Sequence, residues 1–162
     1  QRHAHMLARD VADKLKTSKP VALHTPLLGS LSGPGRMDTD AKMSKSNPSG
    51  ALLVHDEEKV LMKKLSKAYC PLERESNPVL DIWEHLLEPA LGEIVIKRPE
   101  KFGGNIEFDS YNSLEESYLS GSLHPLDLKN GTASTLYDLC SPFRKACDSD
   151  SGPYNTLRSA LE

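Results

Sequence analysis

Two lysines and two serines fall within five consecutive residues of the chain, Lys42-Met43-Ser44-Lys45-Ser46. Lysine ammonium groups can place compact positive charges on the non-bridging oxygens of a polyphosphate, and serine hydroxyls can donate hydrogen bonds to the same oxygens. A flexible segment with these groups can close over such a ligand. The pattern therefore predicts a polyphosphate-binding loop at residues 42–46, in which the two lysines supply the charge.

The same pentapeptide also has an ordinary interpretation, as solvent-exposed residues of a loop, because short Lys- and Ser-rich segments arise by chance. Its surroundings favour the functional interpretation. Residues 27–50 contain many Gly, Pro, Ser and Asp residues, which exclude a regular element. A loop of this length is usually functional or disordered, so we expect a long, mobile loop that carries the chemistry.

The elements before this loop predict an α/β arrangement. Residues 1–15 have the apolar spacing of a helix, with Met6, Leu7, Val11 and Leu15 on one side. Residues 20–24 form a short apolar run between two prolines, which is typical of a buried strand in a parallel sheet. A helix followed by a buried strand predicts a parallel α/β sheet ahead of the loop.

The part of the chain after the loop predicts mainly helices. Residues 56–68 begin with acidic residues and continue with lysines, which indicates a helix whose lysines face water. Residues 71–78 are typical of a linker, and we place a domain boundary between residues 70 and 71. Further elements are predicted as helices at 79–87, 113–119 and 125–146 and as a strand hairpin at 92–96 and 105–108. Ser113 and Glu116 suggest a capping box, and Pro125 suits a first helical position.

Composition limits the kinds of function. The chain has 162 residues, of which 38% are hydrophobic, enough for one substantial core. Its 20 basic residues against 23 acidic ones give a formal charge of -3, which argues against general binding of polyanions. Any binding of nucleic acid must therefore be local. Within residues 97–147, too, acidic residues outnumber basic ones.

The cysteines and the hydropathy pattern predict an intracellular, soluble protein. Cys70, Cys140 and Cys147 are odd in number and show no CxxC spacing, so neither a disulfide framework nor a metal site is indicated. The sequence contains no apolar run long enough to span a membrane and no signal-peptide pattern. We expect a cytoplasmic location.

The pentapeptide in its context resembles the signature loop of class I aminoacyl-tRNA synthetases, which follows the last strand of their nucleotide-binding fold. Three later blocks resemble the archaeal and eukaryotic type of tyrosyl-tRNA synthetase. These blocks are KAYCP at 67–71, KRPEKFGG at 97–104 and LHPLDLK at 123–129. The resemblance implies residues 1–70 as the C-terminal part of a Rossmann-like class I catalytic domain, and residues 71–162 as a small helical anticodon-binding domain with a tail.

The resemblance also implies an activity. Enzymes of this family join tyrosine to ATP with release of pyrophosphate and then transfer tyrosine to tRNA-Tyr. Lys42 and Lys45 would be catalytic, the five residues 42–46 would bind ATP with Mg2+, and Gln1 would contact tyrosine. The resemblance further implies a homodimer. The family's other signature, near the start of its catalytic domain, is absent, so we expect the chain to be a C-terminal half without ligase activity of its own.

The helical domain of this family grips the anticodon stem-loop, and the resemblance assigns this role to Phe102, His124 and Asp127. An aromatic ring can stack on an unpaired base, and a carboxylate can accept hydrogen bonds from the Watson–Crick edge of guanine. For Asp127 the alternative is a solvated residue in the first turn of a helix.

Two other functions stay open. The chain could be a non-catalytic tRNA-binding module, or it could belong to the related tryptophanyl enzyme, which shares the fold and the loop. The three later blocks favour tyrosine.

Overall fold

The computed structural model describes residues 2–34, 42–44, 46–149, 152 and 159. Within these residues the chain is mostly helical, with one small antiparallel sheet. The helices are α1 Arg2–Leu15, α2 Glu58–Ser66, α3 Pro78–Ile82, α4 Glu88–Leu91, α5 Tyr111–Leu119 and α6 Pro125–Ser149. The strands are β1 Ile94–Ile96 and β2 Ile106–Phe108.

The predicted first helix is confirmed as α1, but its apolar side is not covered. Met6, Leu7, Val11 and Leu15 are all exposed, and Ala12 is the residue of α1 that is buried. This helix therefore gains little from packing against the described part of the chain.

The predicted buried strand at residues 20–24 is wrong for this structure. The segment has no strand pairing, and Val21 and Leu23 are 96% and 93% exposed. An extended segment forms a strand only beside a partner that supplies ladder hydrogen bonds, and among the described residues the paired strands are β1 and β2. The segment instead lies against α1, where Arg9 donates to the carbonyl oxygen of Pro20.

The second helix begins after a buried carboxylate. Asp56 accepts a hydrogen bond from the backbone N–H of Leu53 at 2.9 Å and pairs with Lys64 at 2.6 Å. The expectation that the lysines of this helix face water is wrong for Lys64, whose side chain is only 13% exposed, because it turns back to this carboxylate. The other three, Lys59, Lys63 and Lys67, are exposed.

The helix predicted at 79–87 extends from Pro78 to Leu91 in three consecutive parts. Asn77 caps its start, accepting from the N–H groups of Val79 and Leu80. Between α3 and α4 the turn widens into a π-helix at Trp83–Leu87, where the N–H of Glu88 bonds to the oxygen of Trp83. The wide turn precedes Pro89, which has no N–H to donate to the preceding turn.

The predicted hairpin is confirmed. Ile94, Val95 and Ile96 pair antiparallel with Phe108, Glu107 and Ile106. The connection contains a 3₁₀ turn at Glu100–Phe102 and then two glycines with positive φ, Gly103 at 97° and Gly104 at 73°. These glycines reverse the chain where other residues would be strained.

The last two helices are confirmed with one correction. The first, α5, is capped by Ser110, whose hydroxyl accepts from Ser113 N, so the capping box predicted at Ser113 is three residues too late. The second, α6, begins at Pro125 as predicted. It packs closely on the hairpin, since a Cβ on Gly131 would lie 3.0 Å from Ile96.

A single core cluster joins both sides of residue 70. Leu31, Leu65 and Ala68 belong to the same buried cluster as Leu80 and Leu136. The helices α2 and α6 form its largest packing contact between elements. The domain boundary predicted at residue 70 stays a prediction, and any two domains divided there would share this core. The tail after Ser149 lies outside the described residues, apart from Gly152 and Ser159.

Candidate functional site

A short backbone bridge fixes the start of the KMSKS loop, which we define as residues 42–46. Lys42 forms an isolated antiparallel bridge with Gly29, and the N–H of Met43 donates to the oxygen of Leu28 at 3.1 Å. The segment is thus tied to the chain that precedes the long loop. The side chain of Lys42 is exposed beside this bridge, so its ammonium group is available to a ligand.

The next residue points the other way. Because successive side chains of an extended segment alternate in direction, Met43 faces inward where Lys42 faces solvent. Met43 is partly buried and packs against the core cluster. It lines an apolar cavity of about 120 Å³ together with Leu28, Leu61, Leu136 and Cys140, among others. Met43 therefore anchors the KMSKS loop against the core, while the side chain of Lys42 stays exposed to solvent.

Hydrogen bonds within the chain shape the end of the KMSKS loop. The oxygen of Ser44 accepts from Asn47 N at 3.0 Å, and the hydroxyl of Ser44 accepts from Ser46 N at 3.3 Å. Ser44 is half-buried and Ser46 is exposed. The chain then turns at Pro48–Gly50, where the oxygen of Gly50 accepts from Leu31 N at 2.9 Å.

Two predicted site residues, Gln1 and Lys45, lie outside the described residues, as does the stretch 35–41 of the long loop. The rest of residues 27–50 is irregular as predicted, apart from the 3₁₀ turn and the bridge at Lys42. The described loop thus brings Lys42, Ser44 and Ser46 to one segment, with Met43 beneath them.

A second group of predicted residues lies around the start of α6, where Arg98 organises the loop between the strands. Arg98 Nε donates to the oxygen of Gly104 at 2.9 Å, and its Nη1 lies 3.4 Å from Asp127 Oδ2. Asp127 is therefore not the solvated residue of the alternative interpretation; its side chain is 19% exposed. Its other oxygen, Oδ1, has no hydrogen-bond partner among the described residues and can accept from a ligand.

Phe102 lies at the end of the 3₁₀ turn in the same loop. Its side chain is 58% exposed, and the ammonium group of Lys101 lies 4.8 Å from the ring centroid. A cation over one face of an aromatic ring is a favourable contact and leaves the opposite face for stacking. The geometry is compatible with the predicted contact to a base.

His124 directly precedes α6 and is exposed. Its Nδ1 accepts a hydrogen bond from Leu126 N at 3.1 Å. Since Nδ1 acts as the acceptor, the neutral ring carries its proton on Nε2. This nitrogen is then a donor that faces outward from the start of the helix.

Sequence reasoning missed Arg98, the residue that links the loop to α6. In the sequence it is one residue of the KRPEKFGG block at 97–104, and its partners lie 6 and 29 residues away. An arginine among glycines, with an aspartate in the first turn of a later helix, offers only a weak signal of pairing. Distant pairs of this kind are found by structure.

One cluster could hold a cation. Asp81, Glu84 and His85 place one ligand atom each within 4.8 Å of one another. Arg74 already pairs with both Asp81, at 2.9 Å, and Glu84. A guanidinium in this position neutralises the carboxylates, so the cluster serves as an ion-pair network.

The cysteine nearest to α2 is structural. Tyr118 Oη lies 2.9 Å from the carbonyl oxygens of both Cys70 and Pro71 and 3.1 Å from the thiol. Burial raises the pKa of the Cys70 thiol, while the hydrogen bond with Tyr118 acts in the opposite direction. The thiol therefore stays protonated at neutral pH and is a poor nucleophile.

None of the described helices has the length and apolar character to cross a membrane.

Comparison with known proteins identifies the family. The family model for class I tRNA synthetases of the W and Y type matches residues 1–140. The tyrosine–tRNA ligase of Picrophilus torridus is 47% identical over 152 residues, which are 93% of this chain and 46% of that protein.

Solved structures agree with the sequence match. The tyrosyl-tRNA synthetase from Aeropyrum pernix superposes with a TM-score of 0.82 at 43% identity, covering 98% of this chain and 45% of that one. The enzyme from Pyrococcus horikoshii, complexed with L-tyrosine, gives 0.81 at 37% identity, covering 98% and 49%. The chain thus spans about half the length of the relatives it matches. These three relatives are tyrosine enzymes, as the later blocks predicted, and the match over residues 1–140 shows that the chain belongs to the class I tRNA synthetase family of the tryptophan and tyrosine enzymes.

Proposed function

We propose that this chain is the part of a tyrosine–tRNA ligase that carries the ATP loop and the anticodon-reading end. The complete ligase joins tyrosine to ATP, releases pyrophosphate and passes tyrosine from the adenylate to tRNA-Tyr. The observation that carries this proposal is the geometry of Lys42 and Met43. The side chain of Lys42 is exposed and can reach a ligand, and the next side chain, Met43, packs against the core cluster.

The lysines act by charge. The tyrosine carboxylate attacks the α-phosphorus of ATP, the bond to the β-phosphate oxygen breaks, and pyrophosphate leaves with the bonding electrons. Negative charge grows on pyrophosphate in the transition state, and cations held against it lower the barrier. Lys42 and Lys45 supply this charge with Mg2+, while Ser44 and Ser46 donate hydrogen bonds. None of these residues needs to transfer a proton.

The remaining parts of the proposal follow the family resemblance. Gln1 contacts tyrosine, residues 1–70 belong to the catalytic domain, and residues 71–162 form the anticodon-binding domain with its tail. The complete ligase is a cytoplasmic homodimer.

At the other end of the chain, Phe102, His124 and Asp127 read the anticodon. Phe102 stacks on a base, His124 Nε2 donates, and Asp127 Oδ1 accepts from a guanine edge. Support comes from the Arg98 contact, which holds the loop of Phe102 to the helix of Asp127.

Pyrophosphate exchange tests the ATP loop. In the full-length ligase, Lys42→Ala should slow tyrosine-dependent exchange by about 100-fold or more, because it removes charge that acts in the transition state. Tyrosine binding should change little. Lys145→Ala removes another exposed lysine, in α6, and is the control. Exchange at the wild-type rate in Lys42→Ala would refute the role of the loop.

Binding of tRNA-Tyr transcripts tests the anticodon end. At fixed moderate salt, the chain should prefer the native anticodon over one changed at its first base, and Asp127→Ala should abolish this preference. Loss of a good base contact costs about 1–3 kcal/mol. Equal binding of both transcripts by the wild-type chain would remove the anticodon-reading role.

A further inference from the structure

Three exposed lysines form a row along α2. Lys59, Lys63 and Lys67 follow one another at four-residue intervals, with Lys67 directly after the last residue of the helix. Residues two positions apart on a helix point to nearly opposite sides. The row therefore lies opposite Leu61 and Leu65, the two residues of α2 that are buried in the core.

These lysines, unlike several other cations of the chain, have no acidic partner among the described residues. Lys64, on the same helix, pairs with Asp56, and Lys97 pairs with Asp138. Arg74 and Arg98 are also paired with carboxylates. In the described part of the chain, no ion pair involves any member of the row. In a molecule with a formal charge of -3, this is a local concentration of free positive charge.

The spacing of the row suits a phosphate chain. Four residues of helix advance about 6 Å, so the row extends over about 12 Å. The spacing of about 6 Å between neighbouring lysines is close to the separation of successive phosphates along one strand of an RNA helix. Lysine is a suitable ligand for phosphate, because its flexible stem can adjust a compact charge to each oxygen.

The row ends beside the elements proposed to read the anticodon. Lys129, in the first turns of α6, donates from Nζ to the oxygen of Ser66 at 3.3 Å. Ser66 directly precedes Lys67, and Asp127 lies two residues before Lys129. The C-terminal end of α2 is thus held against the start of α6. Lys67 therefore lies near the segment that contains His124 and Asp127.

We propose that Lys59, Lys63 and Lys67 bind the phosphate backbone of the tRNA stem that adjoins the anticodon loop. This inference rests on the proposed function, since it takes tRNA as the ligand. Phosphate contacts fix register and add affinity without reading sequence. The row would thus supply affinity, and Phe102, His124 and Asp127 would supply discrimination.

The test is tRNA binding by the chain in which all three lysines of the row are changed to glutamine. Glutamine has a helix propensity similar to that of lysine and is only one atom shorter, but it carries no charge. We expect Kd for the tRNA-Tyr transcript to rise about 10- to 100-fold at moderate salt, and the negative slope of log K against log salt to become shallower by about 2 to 3. Kd should rise by the same factor for both transcripts, so the preference for the native anticodon should remain.

A matched variant changes Lys14, Lys16 and Lys145 to glutamine, which removes the same number of exposed charges elsewhere. If it weakens binding as much as the row variant, or if the row variant leaves Kd and the salt slope unchanged, the proposal is wrong. Pyrophosphate exchange in the full-length ligase should be equal in the row variant and the wild type. A wild-type ligase without exchange would refute the proposed function instead, so the two failures are distinguishable.

Discussion

Two glycines with the same backbone conformation lie in different surroundings. Gly33 and Gly121 both have φ of +78°. A Cβ on Gly33 would lie 2.5 Å from Cγ of the Tyr69 ring, whereas a Cβ on Gly121 would meet nothing within 4 Å. The contact at Gly33 packs the turn after Leu31 against Tyr69, three residues after the end of α2.

Alanine at these two positions should separate strain from collision. Gly121→Ala should cost about 1–2 kcal/mol of unfolding free energy, the usual penalty of a left-handed conformation. Gly33→Ala carries the same penalty and must also displace Tyr69, so it should cost clearly more. Urea unfolding of both variants measures the difference. Equal losses would mean that Tyr69 moves aside freely.

At the scale of single residues, the sequence was informative where side-chain chemistry is local. The helix start at Pro125 and the irregular, exposed segment that carries Lys42 follow from residue type and immediate context. The pairing of Lys64 with Asp56 and of Arg98 with Asp127 does not, because the partners are 8 and 29 residues apart. The roles assigned to residues 42–46 of the KMSKS loop and to Gln1, Phe102, His124 and Asp127 stay predictions.

At the scale of elements, the helical segment from Pro78 to Leu91 depends on Asn77, the residue that caps its start. Asn77 is fully buried and accepts from Val79 and Leu80 through Oδ1. Its Nδ2 donates to the oxygen of Pro71 at 2.9 Å. One side chain therefore caps the helix and also holds the preceding linker.

Two substitutions of Asn77 should destabilise the chain to different extents. Asn77→Ala loses the cap and the linker contact and should cost about 2 kcal/mol or more, because a cap alone contributes about 1 kcal/mol and buried partners are left unpaired. Asn77→Ser keeps a capping oxygen and should recover roughly half of the loss. Thermal unfolding of the two variants would show whether serine rescues; if it does not, the linker contact dominates.

Element types were predictable where the pattern is decided locally. The hairpin and helices α1, α2, α5 and α6 follow from periodicity, turn glycines and proline. The strand predicted at residues 20–24 fails because strand formation depends on a neighbour, which a local pattern cannot supply. The π-helix was also unpredicted, although Pro89 offered a signal that the regular ladder must change there.

At the scale of the whole molecule, the shared core has a consequence for unfolding. Trp83 is the single tryptophan, is fully buried, and donates from Nε1 to Thr132 at 2.8 Å. Leu65 lies on the other side of residue 70 and is also fully buried in the same cluster. Both residues therefore depend on one packed interior.

We expect Leu65→Ala to lower the unfolding free energy by about 2–5 kcal/mol, the usual range for a buried leucine. Because the core is continuous, Trp83 fluorescence and far-ultraviolet circular dichroism should report the same shifted urea midpoint. Leu126→Ala, at an exposed position of α6, is the control. A fluorescence midpoint that stays at the wild-type value would mean that the two sides of residue 70 unfold separately.

Helix α6 contributes residues to the surroundings of both groups of predicted site residues. The helix carries Asp127 in its first turn, and Leu136 and Cys140 further along it line the same apolar cavity as Met43. Asp127 and Leu136 lie about 14 Å apart along the helix axis. One continuous helix therefore spans from the residue that pairs with Arg98 to the residues that pack around the methionine of the KMSKS loop.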